Sequence, residues 1–151
     1  MKYGKYIHTV IGIIYLESEF DAVTKLQYAD EVRPAESCPL LDVAERQLRE
    51  YLAGVRRAFD LPLDPGGTPF QRQVWAALRE IPYGETRSYK DIALRVGKPG
   101  GTQAVGMANN RNPIAIVIPC HRVIGANGAL VGYGGGVDRQ AFLLRLEGVH
   151  M

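Results

Sequence analysis

The chain has 151 residues, 46% of them hydrophobic and 23% charged, with a formal net charge of +2. That is enough to bury a core in one domain or two small ones, and no apolar run approaches the roughly 18 residues of a membrane span. Two cysteines, Cys38 and Cys120, cannot by themselves build a disulfide framework or a zinc site, and Met1 to Ile7 is too polar and mixed for a signal peptide.

Charge is unevenly spread. Residues 1–64 carry 8 Lys/Arg against 11 Asp/Glu, whereas residues 65–151 carry 10 against 5. One half is therefore −3 and the other +5, so a phosphate-bearing partner is expected at the second half.

Tyr3 to Leu16 and Ala22 to Tyr28 alternate loosely and are rich in Ile, Val and Tyr, which predicts strands with a turn near Gly12. Leu40, Leu41, Ala44, Leu48, Tyr51 and Leu52 then fall at helical spacing, started by Ser37 and Pro39 and stopped by Gly54. Phe59 to Leu63 predicts a last strand, completing a strand–strand–helix–strand unit without a catalytic cluster. Asp64-Pro65-Gly66-Gly67 is the natural linker, dividing a structural domain over residues 1–64 from a second domain over 65–151.

Thr68-Pro69-Phe70-Gln71 reads as a capping box with proline at the first helical position. The helix it opens carries Phe70, Val74, Trp75 and Leu78 on one stripe and ends at Pro82-Tyr83-Gly84-Glu85. Ser88 caps a second helix through Ile92, Ala93 and Val96, stopped by Gly97. After Lys98 to Gly101 turns the chain, Thr102 caps a third, Gln103 to Asn109. Helix, glycine-containing turn, helix is the arrangement of a DNA-binding helix-turn-helix, and equally of an ordinary helical hairpin. Ala104, Gly106 and Ala108 leave the third helix thin, at a cost in propensity at Gly106, so it suits a close neighbouring helix or a narrow DNA groove.

Ile114-Ala115-Ile116-Val117-Ile118 predicts a fully buried strand or extended core segment, stopped by Pro119. Cys120 follows, with His121 and Arg122 behind it. Such a cysteine is either a small buried hydrophobe or a nucleophile whose thiolate is favoured by an adjacent base and a fixed positive charge. His121 and Arg122 would be costly to bury, which favours the second reading. A free thiol nucleophile implies a reducing compartment, hence the cytoplasm. Gly125-Ala126-Asn127-Gly128 is a tight turn. Four glycines keep Gly132-Tyr133-Gly134-Gly135-Gly136 out of regular structure and let the backbone approach a flat ligand. Asp138 caps a last helix, with Phe142, Leu143 and Leu146 apolar and Glu147 near its end.

Pro119-Cys120-His121-Arg122-Val123 resembles the active-site signature of the O6-alkylguanine-DNA alkyltransferases. The resemblance runs from about Pro69 to Gly148, through Ile81-Pro82-Tyr83-Gly84-Glu85-Thr86, Ser88-Tyr89, Ala104-Val105-Gly106, Arg111-Asn112-Pro113 and Gly132-Tyr133-Gly134-Gly135. It implies an α/β (α+β) fold: a small RNase H-like domain over 1–64, and a mostly helical domain over 65–151 holding the helix-turn-helix and the active-site cysteine loop. It also implies direct-reversal repair, in which O6-alkylguanine, and O4-alkylthymine with it, is flipped from duplex DNA. The alkyl group then passes irreversibly to Cys120, one per molecule.

In the scheme the resemblance implies, Glu147 orients His121, which acts on Cys120 through a water. Asn112 is the hinge between helix-turn-helix and active-site loop. Tyr89 rotates the phosphate and protonates guanine N3, Tyr133 walls the base pocket, and backbone groups of Cys120, Val123 and Gly134 read the base edge. DNA is met through its minor groove by Thr102, Gln103, Ala104 and Gly106, with Lys90 and Arg122. Minor-groove edges are nearly degenerate, so little sequence preference is implied.

Two positions depart from the family's pattern. Gln103 stands where its members carry an arginine that fills the vacated stack, and Gly134 replaces a serine found in some of them. The zinc ligands of some relatives are missing from the first domain, where His8 and Cys38 are the candidates. The expected protein is a monomer that needs no cofactor and no metal. Three competitors remain. A lesion binder of this fold lacks the acceptor cysteine, a helix-turn-helix regulator takes no label from alkylated DNA, and a Cys–His hydrolase turns over.

Overall fold

In the computed structural model, which describes residues 1–130 and 132–150, the chain divides into two compact units. One is Met1–Gly66 together with Pro113–Val117; the other is Gly67–Asn112 together with the residues from Ile118 onward.

The first unit is a three-stranded antiparallel sheet in the order β1 (Lys2–Thr9), β2 (Gly12–Glu19), β3 (Ala22–Ala29), covered by helix α1 (Pro39–Leu52). All three strands precede the helix, so the expected strand–strand–helix–strand order is corrected: the stretch Tyr3–Leu16 holds all of β1 but Lys2 and the first part of β2. Ile7, Ile14, Leu16, Val23 and Leu26 form the buried sheet face, and Leu41, Ala44, Leu48 and Tyr51 the buried stripe of α1. The cap of α1 is Cys38 rather than Ser37, whose hydroxyl is spent on Asp42 at 3.1 Å.

Phe59 to Leu63 forms no strand. Gln47 reaches from α1 to the backbone of Asp60 at 3.0 and 2.9 Å, and Leu63 alone makes a bridge, to Val23. A side-chain amide has taken the place of a ladder there.

The predicted strand at Ile114–Ile118 is likewise corrected. Ile114 makes one parallel bridge to Leu26, and the chain then turns: Val117 N–H donates to Ala115 O at 2.8 Å around Ile116, whose φ is +72°. That is a classic γ-turn, strained for any residue and more so for a β-branched one. Burial explains its survival, since Ile114, Ile116 and Ile118 are all within 1% of full burial. The apolar run was read correctly as core but wrongly as extended.

The second unit is helical: α2 (Pro69–Arg79), α3 (Tyr89–Arg95), α4 (Thr102–Asn110) and α5 (Val137–Leu146), with a short parallel pair β4 (Arg87–Ser88) and β5 (Val123–Ile124). The predicted capping box of Thr68 with Gln71 is present, and so is the predicted cap at Ser88, which forms a box with Asp91. Two predicted caps are not. Gly101 is the cap of α4 and Gly136 that of α5, so Thr102 and Asp138 stand inside the first turns. Trp75 Nε1 donates to Ala108 O at 2.8 Å, which ties α2 to α4 and completes the helix-turn-helix with α3. No helix among the described residues is long and apolar enough to cross a membrane.

Candidate active site

Two turns aim Cys120. Pro119 has φ −81° and ψ 64°, and Cys120 N–H donates to Ile118 O at 2.8 Å, an inverse γ-turn that delivers the cysteine to the start of a short 3-10 turn, Cys120–Arg122. Asn112, just past α4, holds the entry: its Nδ2 donates to Ile118 O at 2.7 Å, and its side chain hydrogen-bonds the Cys120 thiol. Asn109 of α4 donates to the Cys120 carbonyl at 3.4 Å. β5 then lies beside β4, and the residue after β4 is Tyr89.

Glu147 is the hub. It caps the C-terminus of α5 with its side chain fully buried. Its Oε2 meets His121 Nε2 at 2.8 Å and accepts from an Arg122 terminal nitrogen at 3.0 Å. Its Oε1 accepts from Arg122 Nε at 2.9 Å and from Gly84 N–H at 3.0 Å. The other terminal nitrogen of Arg122 donates to Ile81 O at 2.8 Å, and the guanidinium lies over the Tyr83 ring. One carboxylate thus neutralises one guanidinium and leaves His121 to be neutral.

This corrects two expectations. His121 and Arg122 were set at the core's edge because burying them is costly, yet both are buried, His121 completely. Glu147, 26 and 25 residues away, offsets that cost with charge-assisted bonds. Arg122, expected at DNA, is buried, with its guanidinium bonded to Glu147 and to Ile81 O.

The thiol is the second correction. Flanking charge was expected to lower its pKa; instead burial pushes it up to about 11, against weaker opposing pulls from Asn112 and the N–H groups of Cys120 and His121. Burial also holds His121 below the ordinary histidine value, although Glu147 pulls it the other way. The resting pair is therefore a neutral thiol beside a neutral imidazole.

Tyr89 stands close enough to Cys120 for the thiolate's charge to add to burial in raising its pKa. Its ring covers Gly106, where an added Cβ would sit 3.7 Å away. That is an ordinary van der Waals contact, so the packing of Tyr89 does not require a glycine at 106. The glycine loop closes on the same tyrosine: Gly132, at φ +74°, would place a Cβ 3.1 Å from Tyr89 Oη. Tyr133 is buried and Gly134 is exposed.

Thr102, Gln103 and Ala104 form the exposed first turn of α4, and Lys90 is exposed on α3. The structure therefore pairs Glu147 with His121 and Asn112 with Cys120, the two pairs joined through the backbone at Cys120–His121 with Tyr89 near Cys120, and leaves Thr102, Gln103 and Ala104 on the surface. Sequence reasoning missed Gly84, Asn109 and Gln140. For Gln140 there was a signal: Gln140, Leu143, Leu144 and Glu147 fall at i, i+3, i+4 and i+7, one face of a helix.

Comparison with known proteins gives a family likeness over most of the chain. The family pattern "6-O-methylguanine DNA methyltransferase, DNA binding domain" matches residues 69–149. The chain is 62% identical to a methylated-DNA–protein-cysteine methyltransferase of Methanosarcina acetivorans over 105 residues, 70% of this chain and 67% of that protein. It is 49% identical to the protein of the same name from Mycolicibacterium paratuberculosis, covering 95% of this chain and 91% of the relative. Among solved structures, Mycobacterium tuberculosis OGT in complex with DNA superposes with a TM-score of 0.86 at 48% identity, over 94% of this chain and 90% of that one.

Proposed function

The chain belongs to the methylated-DNA–protein-cysteine methyltransferase family, whose members repair alkylated guanine by direct reversal, and we propose that Cys120 is the acceptor in this protein. The observation that carries the proposal is a buried thiol bonded by Asn112 and by the N–H of His121, whose ring is held by Glu147. Glu147 is paired with Arg122 and hence ionised, so it accepts Nε2–H of His121 and leaves Nδ1 as the basic nitrogen. Nδ1 takes the thiol proton through a water, and the thiolate attacks the carbon bonded to guanine O6. The C–O6 bond breaks, its electron pair stays with the base, and Tyr89 Oη supplies a proton at N3. Burial keeps Tyr89 protonated until that moment.

The partner is double-stranded DNA, entered through its minor groove by the exposed first turn of α4, with the protein a monomer in the cytoplasm. Guanine O6, and O4 of thymine by the same logic, is unreachable inside the stack, so the base must flip, at a cost of about a few kcal/mol. Tyr133 walls the pocket. Cys120, Val123 and Gly134 read the base edge with backbone groups; the guanine 2-amino group is a donor and needs a carbonyl, for which Val123 O is suited.

The C–S bond of the thioether product is inert to hydrolysis, so each molecule acts once. With O6-methylguanine duplex in large excess, repair is expected to stop at one equivalent per protein. Continued turnover would mean a hydrolase, and no repair with binding retained would mean a lesion binder or regulator.

Gln103 tests the DNA half of the proposal. A planar amide can wedge into the vacated stack but brings no charge, whereas arginine adds a positive charge and a stacking guanidinium. Gln103→Arg is expected to tighten duplex binding and steepen its log–log salt dependence by up to about one unit, while reaction with free O6-benzylguanine stays unchanged. Equal salt slopes in a filter-binding titration would place Gln103 away from the intercalation point.

A further inference from the structure

We propose that Gln140 is a positioning residue for base recognition, holding the Val123 carbonyl where it meets the amino edge of the flipped guanine; this rests on Val123 reading the base, as proposed above. Gln140 lies on α5, two turns before Glu147 on the same face, and has no exposed surface. Its Nε2 donates to His121 O and to Val123 O, each at 3.1 Å. A side-chain amide has two N–H donors, and both are spent on this one loop. Helix α5 therefore grips the segment after the nucleophile at two points: Glu147 takes the side chains of His121 and Arg122, and Gln140 takes the backbone on either side of Arg122.

The amide's orientation is fixed by what it faces. Flipped, its oxygen would point at two carbonyl oxygens. In the orientation observed, Oε1 is buried without a hydrogen-bond partner. A buried acceptor with no partner is costly, and an apolar side chain of the same length would avoid that cost. Gln140 is thus in place for its donors. The Val123 carbonyl has two lone pairs; Gln140 occupies one and so sets the direction of the other.

The test compares transfer from O6-benzylguanine and from O6-benzylhypoxanthine, the same base without the 2-amino group. Wild-type protein is expected to prefer the guanine by about tenfold or more, since a site built to pair a donor rejects the analogue lacking it. In Gln140→Met, which keeps length and removes both donors, the ratio is expected to fall toward one, with iodoacetamide alkylation of Cys120 unchanged. Gln140→Lys, which keeps donors and lacks the idle acceptor, is expected to restore the ratio. Should Gln140→Met fail to fold, Gln140→Glu removes the amide donors in the same shape and is expected to lower the ratio likewise. Equal slowing on both bases, or an unchanged ratio, would overturn the role and leave Gln140 a structural residue. A wild type that uses both bases equally would overturn the reading of Val123, and one that uses neither would overturn alkyl transfer itself.

Discussion

Cys120→Ser is expected to lower alkyl transfer by more than about 10³-fold, the scale on which loss of a nucleophile acts, while binding to alkylated duplex stays nearly intact. A serine hydroxyl preserves the shape and the hydrogen bond from Asn112 but cannot ionise in reach of a neutral imidazole. Affinity should survive because the proposed phosphate and groove contacts fall on Lys90, Thr102, Gln103 and Ala104, which are exposed, whereas the thiol is buried. Cys38→Ser is the control. Its sulfur sits 3.3 Å from Ser18 Oγ in the first unit, and the change is expected to leave transfer untouched. A Cys120→Ser protein that still strips methyl groups at the wild-type rate would remove the basis of the mechanism.

Glu147→Ala has the largest expected effect on stability. It strips four contacts from one buried cluster and leaves the Arg122 guanidinium without a counter-charge. Removing one partner of a buried pair costs about 3–5 kcal/mol, enough to lower the melting temperature by on the order of 10 °C. Glu147→Gln separates fold from chemistry. It fills the same space, but its amide can donate to His121 Nε2 and drive the ring proton to Nδ1, the wrong tautomer for a base. Transfer at neutral pH is then expected to fall about 10²–10⁴-fold with a smaller loss of stability. The pH profile should show the cause. With no base, the variant depends on direct ionisation of a thiol whose pKa is about 11, so its rate should climb steadily with pH where the wild type is flatter. The upper limit is set by the fold: Cys120 titrates at about 11 when folded against an ordinary 9.0, so stability falls as pH rises from 9 toward 11. Wild-type kinetics in Glu147→Gln would take Glu147 out of the proton path.

What could be read from the residues alone was local. The caps at Thr68 and Ser88 and the stops at Gly54 and Gly97 depend on a few neighbouring side chains and came out as expected. The Ile114–Ile118 run did not, because its composition reports burial and not shape; the left-handed conformation at Ile116 is imposed by what surrounds it. Arg122 was misplaced for a similar reason. Its position beside a presumed nucleophile said surface, and the carboxylate that draws it inward is 25 residues further on. The thiol's raised pKa is likewise a property of depth, which adjacent charges in the sequence do not reveal. The motif points to the proposed nucleophile, but the way its loop is held depends on α5.

The most direct measurement is the mass of the protein after one incubation with duplex DNA containing O6-methylguanine, followed by peptide mapping. The account predicts a single species heavier by one methylene, whatever the excess of DNA, with the increment confined to the peptide bearing Cys120. An unmodified protein beside demethylated DNA, or an increment on Cys38 or any other residue, would contradict it.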